Sequence, residues 1–425
     1  MDPAQAAHAV FHVTPYTGYV YPNETVVPWS ILIVIYPYLT GLVAGAFTVS
    51  SFYHVFGMER FKPVARFALI AALSFMVVVP LTLLSHLGHP ERAFNAMMTP
   101  HTTSAMAIFG YVASFYVILL MLEIWFMFRE DIVHNARHDR TWKRPFYRLM
   151  TLGSYEINEL TRRYDHKWLM ALAIIGIPAA HGLHGYVGFV FGSLKSREWW
   201  SSDLMPVIFL FSAIVSGISV LIIFYMLISL IRRVRIDEDC IKGMVLALWG
   251  FLMFTVTLEG VEFFALMYRA REGIEIIREY KDGPLFWRFT VMQIGIGALL
   301  PVLIMTLMVY FRTAGRKLLL GAFVSASLVL VSVIFMRYNV VIGGQEISKT
   351  MKGLLDYSVP YFGQEGWLMA AALLSTPLLF MYILTRFFNP WDDTAPVRAG
   401  GAHTRDSCRL GAGEQAPVSE GGASG

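Results

Sequence analysis

Residues 204–231 read LMPVIFLFSAIVSGISVLIIFYMLISLI, a stretch of 28 residues without a charged side chain. An α-helix rises about 1.5 Å per residue and a bilayer core is about 30 Å thick, so about 20 apolar residues are enough to span it. The stretch therefore predicts a transmembrane helix. A strand of a membrane barrel would instead alternate apolar and polar residues over about ten positions, and the sequence has no sustained alternation.

The rest of the chain repeats this pattern. Of 425 residues, 56% are hydrophobic and 15% are charged, with 31 Phe and 22 Met, which exceeds what a soluble globular protein buries. The charges fall between long apolar stretches, and this predicts an all-α polytopic membrane protein of about nine transmembrane helices. The predicted spans are 27–55, 62–87, 104–128, 167–192, 204–231, 239–268, 286–311, 317–341 and 366–387.

The loops between most spans are short, which predicts two four-helix bundles, 27–192 and 204–341, with the extra helix 366–387 packed outside them. Residues 1–26 lack the basic and apolar regions of a signal peptide, so we expect the first span to direct membrane insertion. Residues 392–425 are rich in Gly, Ala and Ser without an apolar period, which predicts a disordered tail.

The distribution of basic residues predicts the orientation. Lys and Arg outside the spans number roughly 10 on the side of the N-terminus and roughly 23 on the other. We therefore expect a bacterial inner-membrane protein whose N-terminal segment 1–26 is periplasmic and whose tail 392–425 is cytoplasmic. Much of the bias comes from the loop 129–166, whose basic and aromatic residues suit contact with membrane lipid headgroups.

Two cysteines, Cys240 and Cys408, are too few for an iron–sulfur cluster or a disulfide framework in this chain. A metal centre would have to be held by histidine or by a partner. The net charge of +4 is explained by basic residues in the loops, so nothing in the sequence favours a nucleic-acid partner.

Ionisable side chains inside the spans are the most informative residues, because each costs about 2.5–3.5 kcal/mol to insert even on a lenient scale. In the predicted orientation most of them lie in the outer half of the membrane, which indicates a functional site. Glu123 lies nearer the cytoplasmic end, where it belongs to a proton path or reaches the interface. The outer set, ionisable except for Asn339, is His86 and His89 at the outer end of the second span, His181, His184 and Tyr186 in the fourth, Glu259 and Glu262 in the sixth, and Arg337 and Asn339 in the eighth.

A quinone headgroup fits these residue types. Its two carbonyl oxygens accept hydrogen bonds from His, Tyr or Arg, and it gains or loses protons together with its electrons, which Glu and His can relay. We predict Tyr186, His184 and His86 as headgroup contacts. The predicted proton-relay residues are His181, Glu259, Glu262, Arg337 and Glu123.

Glycines 182, 185, 188 and 192 surround the histidines of the fourth span. They permit close helix packing or leave room for a flat ring. Pro178 is expected to kink this helix and open space beside it.

Three other functions remain open. A b-type haem needs axial ligands from opposite faces, and His86 with His181 is one conceivable pair, since His181 and His184 share one face. A secondary transporter also uses intramembrane charges, and interrupted helices would favour it. A purely structural anchor would use the buried charges only to fix helix pairing.

Five motifs in order resemble the NrfD/PsrC family of membrane subunits, over about Trp29 to Gln345. They are YLTGLVAGAF at 38–47, LGHPERAF at 87–94, GLHGYVGFVFG at 182–192, LMPVIFLFSAIVSGIS at 204–219 and RYNVVIGGQ at 337–345. Each motif is weak alone, but five in the same order are specific.

The resemblance implies two four-helix bundles and a site for quinone, menaquinone or ubiquinone, near the outer face. It implies that the chain holds no haem or iron–sulfur cluster and anchors an extracytoplasmic ferredoxin-like iron–sulfur subunit. Polysulfide reductase, the DsrP type of sulfur-metabolism complex and alternative complex III contain such a membrane subunit, and the resemblance allows a multihaem cytochrome c or molybdopterin subunit as a further partner. The ninth helix exceeds the eight of the simplest members, which favours one of the larger complexes. Tyr186 matches the family's fourth-helix tyrosine near quinone. His86 stands where many relatives have an aspartate, so a role assigned to that acid does not transfer directly.

Overall fold

A computed structural model describes residues 11–13, 26–99, 101, 103–269, 274–351 and 353–391. The tail predicted at 392–425 lies outside the described residues. So does the predicted N-terminal segment 1–26, except for residues 11–13 and 26.

Within these described ranges, nine helices are long and apolar enough to cross a membrane, which confirms the prediction of an all-α polytopic membrane protein. A two-stranded antiparallel sheet joins β1 (Phe11–Val13) to β2 (Gly353–Leu355). The nine helices are α1 (Ile31–His54), α2 (Lys62–His86), α3 (Ala105–His138), α4 (Glu159–Gly192), α5 (Met205–Ile231), α6 (Glu238–Arg269), α7 (Phe286–Tyr310), α8 (Gly315–Val341) and α9 (Trp367–Phe387).

Helices α3 and α4 are longer than the sequence predicts. Helix α3 continues to His138, and α4 begins at Glu159, beyond the apolar stretches 104–128 and 167–192. Hydropathy detects only the part of a helix that lies in lipid, so it misses polar turns that continue outside it. Asn158 fixes the start of α4 through a capping box with Thr161, with both hydrogen bonds at 2.8 Å.

Successive helices cross the membrane in opposite directions, so their ends define two faces of the protein. We call the side with Ser30 and His86 the Ser30 face, and the side with the loop 139–158 the basic-loop face. Helix α1 packs against α2 and α4, and α3 packs against α4. Helix α5 packs against α6 and α8, and α7 packs against α8. The contacts of α5 with α1 and with α4 join these groups, and α9 lies against α2.

Two glycines allow the backbones of α1 and α5 to touch. A Cβ atom built on Gly45 would lie 2.6 Å from the Gly217 Cα atom, which is far closer than real side chains allow. Without a hydrophobic force between helices in lipid, such close backbone packing is a main source of their association. The Gly45–Gly217 contact therefore contributes to holding the two helix groups together.

We expect Gly45→Ala to lower the free energy of unfolding by about 1–3 kcal/mol, because the added methyl group forces α1 away from α5. Detergent-induced unfolding of the purified chain measures this change. Gly182→Ala on α4 is the control, since nothing lies within 4 Å of a Cβ atom there. Equal stability of the Gly45 and Gly182 variants would contradict the role assigned to the contact.

Candidate functional site

A histidine–arginine pair lies fully buried between α4 and α8. His184 and Arg337 are both 0% exposed, and Arg337 Nη2 lies 2.9 Å from His184 Nε2. A guanidinium group can only donate, so Nε2 accepts and the proton of the neutral imidazole is on Nδ1. That Nδ1 is buried, and no described residue accepts a hydrogen bond from it.

Arg337 is held in place by uncharged groups. Its Nη2 donates to Ser212 Oγ at 2.6 Å, and its guanidinium lies 3.9 Å from the centre of the Phe209 ring. Its Nε is buried, and among the described residues it has no acceptor. The pair therefore presents two N–H donors, on His184 and Arg337, that are buried without an acceptor from the described part of the chain.

Small residues allow this pair to be packed so deeply. A Cβ atom on Gly41 of α1 would lie 3.3 Å from His184 Cε1, so glycine there leaves room for the ring. Gly188 and Gly192 lie against the backbone at the start of α5, as the packing interpretation of these glycines predicts. Gly182 faces open space instead. Pro178 does not end α4, which continues through it.

An acidic side chain approaches Arg337 from α6. The charges of Glu259 and Arg337 are close enough to interact. Glu259 Oε2 accepts a hydrogen bond from Gln293 Nε2 at 2.9 Å, and Gln293 Oε1 accepts one from Asn339 Nδ2, also at 2.9 Å. Gln293 lies in a π-helical segment, Phe286–Leu299, at the start of α7. Such segments change the direction of side chains and are frequent at functional sites.

His181 has a hydrogen-bond partner at each ring nitrogen. Its Nδ1 lies 2.6 Å from the Ile177 carbonyl oxygen, so Nδ1 donates. Its Nε2 lies 3.2 Å from Thr48 Oγ1, and this hydroxyl lies 2.9 Å from the Ala44 carbonyl oxygen. If Nε2 carries a proton, it donates to Thr48, which donates to Ala44. If Nε2 is bare, the hydroxyl turns to donate to it. His181 can therefore gain or lose a proton with only a hydroxyl rotation.

The structure brings together four of the predicted site residues. His181 and His184 are close enough for their charges to interact, as are His184 and Arg337. Glu259 completes the group from α6. Glu262 lies nearly one turn further along α6, where its Oε2 is buried without a hydrogen bond to any described residue.

The other three predicted residues lie outside this group. The Tyr186 hydroxyl donates to the Ala105 carbonyl oxygen at 2.9 Å, which joins α4 to the start of α3. His86 Nδ1 lies 2.7 Å from Glu365 Oε1 and 3.2 Å from Ser30 Oγ. His86 therefore pairs with Glu365 and Ser30 at the Ser30 face. The expectation that it joins the other histidines in one cluster is not met. Glu123 is buried in the half of α3 nearer the basic-loop face.

Several residues of this site are absent from the predicted set. Ser212, Gln293 and Thr48 are uncharged, so a search for ionisable residues inside the spans passes over them. A search for any polar side chain in the apolar stretches would have found all three. Glu365 lies in the loop before α9, and no sequence signal connects it to His86.

A second polar cluster lies at the Ser30 face, where no sequence pattern indicates one. Arg288 Nη2 donates to Glu346 Oε2 at 2.6 Å, and the Tyr280 hydroxyl donates to the same oxygen. Glu346 is 4% exposed and Tyr280 is 1% exposed. Burial, together with the Glu346 carboxylate, holds the pKa of the Tyr280 phenol well above its usual range. This cluster ties the helix Ile274–Asp282 to the end of α8.

A family model described as polysulphide reductase, NrfD, matches residues 21–348. The chain belongs to this family. The match confirms the resemblance carried by the five sequence motifs. It also covers α1 to α8, and with them the whole His184–Arg337 site. Helix α9 lies outside the match.

The relatives of this NrfD-family chain include subunits of several reductases. A selenate reductase subunit of Mesobacillus selenatarsenatis is 31% identical over 320 residues, which cover 74% of this chain and 73% of that one. Protein NrfD of Escherichia coli is 26% identical over 328 residues, 75% of this chain and 95% of that one. The Hdr-like menaquinol oxidoreductase integral membrane subunit of Archaeoglobus fulgidus is 23% identical over 282 residues, 65% and 62% of the two chains.

Proposed function

We propose that this NrfD-family chain is the quinone-reactive membrane subunit of an oxidoreductase complex. It exchanges electrons and protons between membrane quinol or quinone and an iron–sulfur partner. The names of the relatives support a place in such a complex, and one of them is a menaquinol oxidoreductase subunit. The observation that carries the proposal is the pair of buried N–H donors, on His184 and Arg337, that have no acceptor among the described residues.

A quinone headgroup is the ligand that these donors suit. Its carbonyl oxygens only accept hydrogen bonds, and its ring is flat and apolar, so it satisfies donors without bringing donors of its own. Menaquinone and ubiquinone both have this chemistry. In the proposal His184 Nδ1 and Arg337 Nε donate hydrogen bonds to the carbonyl oxygens of the headgroup.

The surrounding acids and His181 supply the protons. Reduction of one quinone to quinol takes two electrons and two protons, and oxidation returns them. The electrons pass to or from the iron–sulfur partner. His181 can hold a proton or release it with a hydroxyl rotation, and Glu259 and Glu262 can act in the same way beside Arg337. Buried titratable groups gathered at one depth are typical of such relay sites.

The Ser30 face is where we expect the partner to bind. Large apolar side chains are exposed there between the nine long helices, with Met98 in the short helix Asn95–Met98, and exposed apolar groups of this size mark interaction surfaces. In the predicted orientation this face is periplasmic. The exposed residues are Phe94, Met98, Tyr361 and Phe362, at 64%, 78%, 78% and 80%.

A structural anchor is the second candidate, and one observation favours it. His184 and Arg337 are both 0% exposed, as expected of a pair that only fixes helices α4 and α8 together. A structural pair and a redox site make different predictions for turnover in a protein that still assembles.

Replacing His184 with Gln distinguishes the two candidates. If the chain is the quinone-reactive subunit, the variant still assembles with its partners, but quinone-linked turnover falls by about 100-fold, because a donor to the reacting oxygen is lost. Turnover of the purified complex and quinone extracted from it are the measurements.

His89→Gln is the matched control, because His89 lies at the Ser30 face with its side chain 69% exposed and paired to Glu91. We expect this variant to behave as the native protein does. A His184→Gln complex that assembles and turns over at the native rate would refute the quinone proposal in favour of the anchor.

A further inference from the structure

A cavity of about 600 Å³ opens at the basic-loop face, between the end of α1, the turn before α2 and the start of α6. Its apolar wall includes Phe52 and Phe61, whose ring centres are 5.0 Å apart, and Leu246 of α6. Gly41, the α1 residue beside His184, precedes Phe52 by eleven residues, which is about 16 Å of helix. The cavity is therefore separate from the His184–Arg337 site.

Charged side chains line the same cavity beside this apolar wall. Glu59 and Arg60 belong to the short turn Glu59–Phe61, and Asp239 lies in the first turn of α6. All three are exposed, and none of them forms an ion pair with a residue that the structure describes. The lining therefore offers one cation and two carboxylates to a ligand.

Gly243 lets the Arg60 side chain lie against α6. A Cβ atom on Gly243 would lie 2.7 Å from Arg60 Cδ and 3.2 Å from Phe61 Cζ. Long basic side chains commonly pack their methylene groups on an apolar surface and keep the charged end accessible. The Arg60 guanidinium is therefore held beside the cavity, where it can meet an anionic group.

Helix α6 orders these groups by depth. Asp239, Gly243 and Leu246 all line the cavity, as expected of residues four and seven positions apart on one helix face. Leu246 lies about 10 Å further along the helix than Asp239. The charged groups are thus at the outer end of the cavity and the apolar groups at the inner end. A phospholipid has the same order, with a charged headgroup outside its acyl chains.

The charges of the lining distinguish between phospholipid headgroups. Two carboxylates and one guanidinium leave the rim negative, so an anionic headgroup is repelled. A phosphate group pairs well with arginine, and a primary ammonium group donates three hydrogen bonds that carboxylates accept. A quaternary ammonium group donates none. An ethanolamine headgroup carries one phosphate and one primary ammonium group, so it matches all three side chains.

We propose that this cavity binds a lipid of the phosphatidylethanolamine type. Its phosphate pairs with Arg60, its ammonium group pairs with Glu59 and Asp239, and one acyl chain lies along Leu246. The turn Glu59–Phe61 joins α1 to α2 and contacts α6, so the bound lipid bridges the two helix groups at the basic-loop face. The site does not depend on the proposed quinone function, because it is remote from His184.

Native mass spectrometry of the full chain, purified with its partners and depleted of lipid, tests the site. Phosphatidylethanolamine, phosphatidylglycerol and phosphatidylcholine are added separately, and the lipid retained per chain is measured. We expect the ethanolamine lipid to bind about tenfold more tightly than either of the others, because only its headgroup satisfies all three charges. Thermal unfolding in the same lipids should show the largest rise in midpoint with the ethanolamine lipid.

Two variants test the assigned contacts. Arg60→Met keeps an apolar side chain on Gly243 but removes the charge, so we expect the affinity for the ethanolamine lipid to fall about tenfold. Glu59→Gln with Asp239→Asn leaves Arg60 as the charged group of the rim, so the preference should change to phosphatidylglycerol. Arg235→Met is the matched control, because Arg235 is exposed at the same face but does not line the cavity. It should keep the native affinity and preference.

Equal binding of the three lipids by the native protein would overturn the proposal, because a cavity that only accepts acyl chains does not distinguish headgroups. Native affinity for the ethanolamine lipid in the Arg60→Met variant would overturn it as well. If a variant fails to assemble, the headgroup preference of the native protein decides: a tenfold preference for the ethanolamine lipid supports the site, and equal binding refutes it.

Discussion

Replacing Arg337 with Met is expected to lower quinone-linked turnover by about 100-fold or more, a loss of about 3 kcal/mol of transition-state stabilisation. The Met side chain has a similar length but donates no hydrogen bond. Its introduction removes the partner of His184 Nε2 and of Ser212. The tautomer of His184 is then no longer fixed, so its Nδ1–H is no longer aimed at the headgroup.

The same substitution should also destabilise the protein, because it leaves Glu259 without the positive charge that faces it. We therefore expect the double variant Arg337→Met with Glu259→Gln to recover stability but not turnover. Unfolding in detergent and turnover of the assembled complex measure the two effects separately. If the two substitutions are non-additive in stability, Arg337 and Glu259 form a charge pair. If turnover stays low in the double variant, Arg337 also acts in the reaction.

Arg316→Met is the control for this experiment, since Arg316 lies exposed on the same helix near the basic-loop face. Its turnover should stay within about twofold of the native value, as is usual for surface substitutions. The assigned role would be wrong if the Arg337 variant assembled and kept native turnover.

The helices could be predicted from the sequence because lipid imposes a strong and local rule. Each span must be apolar over about 20 residues, and each residue's contribution is independent of its distant neighbours. For this reason the predicted start of α5 differs from the observed one by one residue, and the predicted and observed ends coincide at Ile231. The ends of α3 and α4 were wrong by up to ten residues, because outside lipid the helix is continued by caps and polar contacts instead.

The site could be predicted only in part. His184 and Arg337 each stand out because an ionisable residue in an apolar span is rare. Their hydrogen bond joins residues 153 apart in sequence, which no local pattern encodes. His86 was assigned to the same group because it lies in the same half of the membrane. The sequence indicates how deep a residue lies in the membrane, but the direction of its side chain around the helix axis depends on tertiary packing. In the structure the His86 side chain points to Glu365.

Replacing Glu346 with Ala is expected to lower the free energy of unfolding by about 3–5 kcal/mol, the cost of breaking a buried ion pair. The Glu346 carboxylate accepts hydrogen bonds from Arg288 at 2.6 and 3.2 Å. It also accepts one from Tyr280. Its removal leaves Arg288, whose side chain is 20% exposed, without a counter-charge. The helix Ile274–Asp282 would then separate from the end of α8.

Detergent-induced unfolding measures this loss, and Glu279→Ala is the control. Glu279 lies in the same short helix, but it is exposed, so its replacement should change stability by less than about 0.5 kcal/mol. Tyr280→Phe keeps the ring but removes two hydrogen bonds, the one that Tyr280 donates to Glu346 and the one that it accepts from Arg288 Nη2 at 2.9 Å, so it should cost about 2 kcal/mol. If Glu346→Ala is no more harmful than Glu279→Ala, the cluster does not hold the Ser30 face together. If the predicted order is found, this ion pair fixes the helix Ile274–Asp282 to the end of α8.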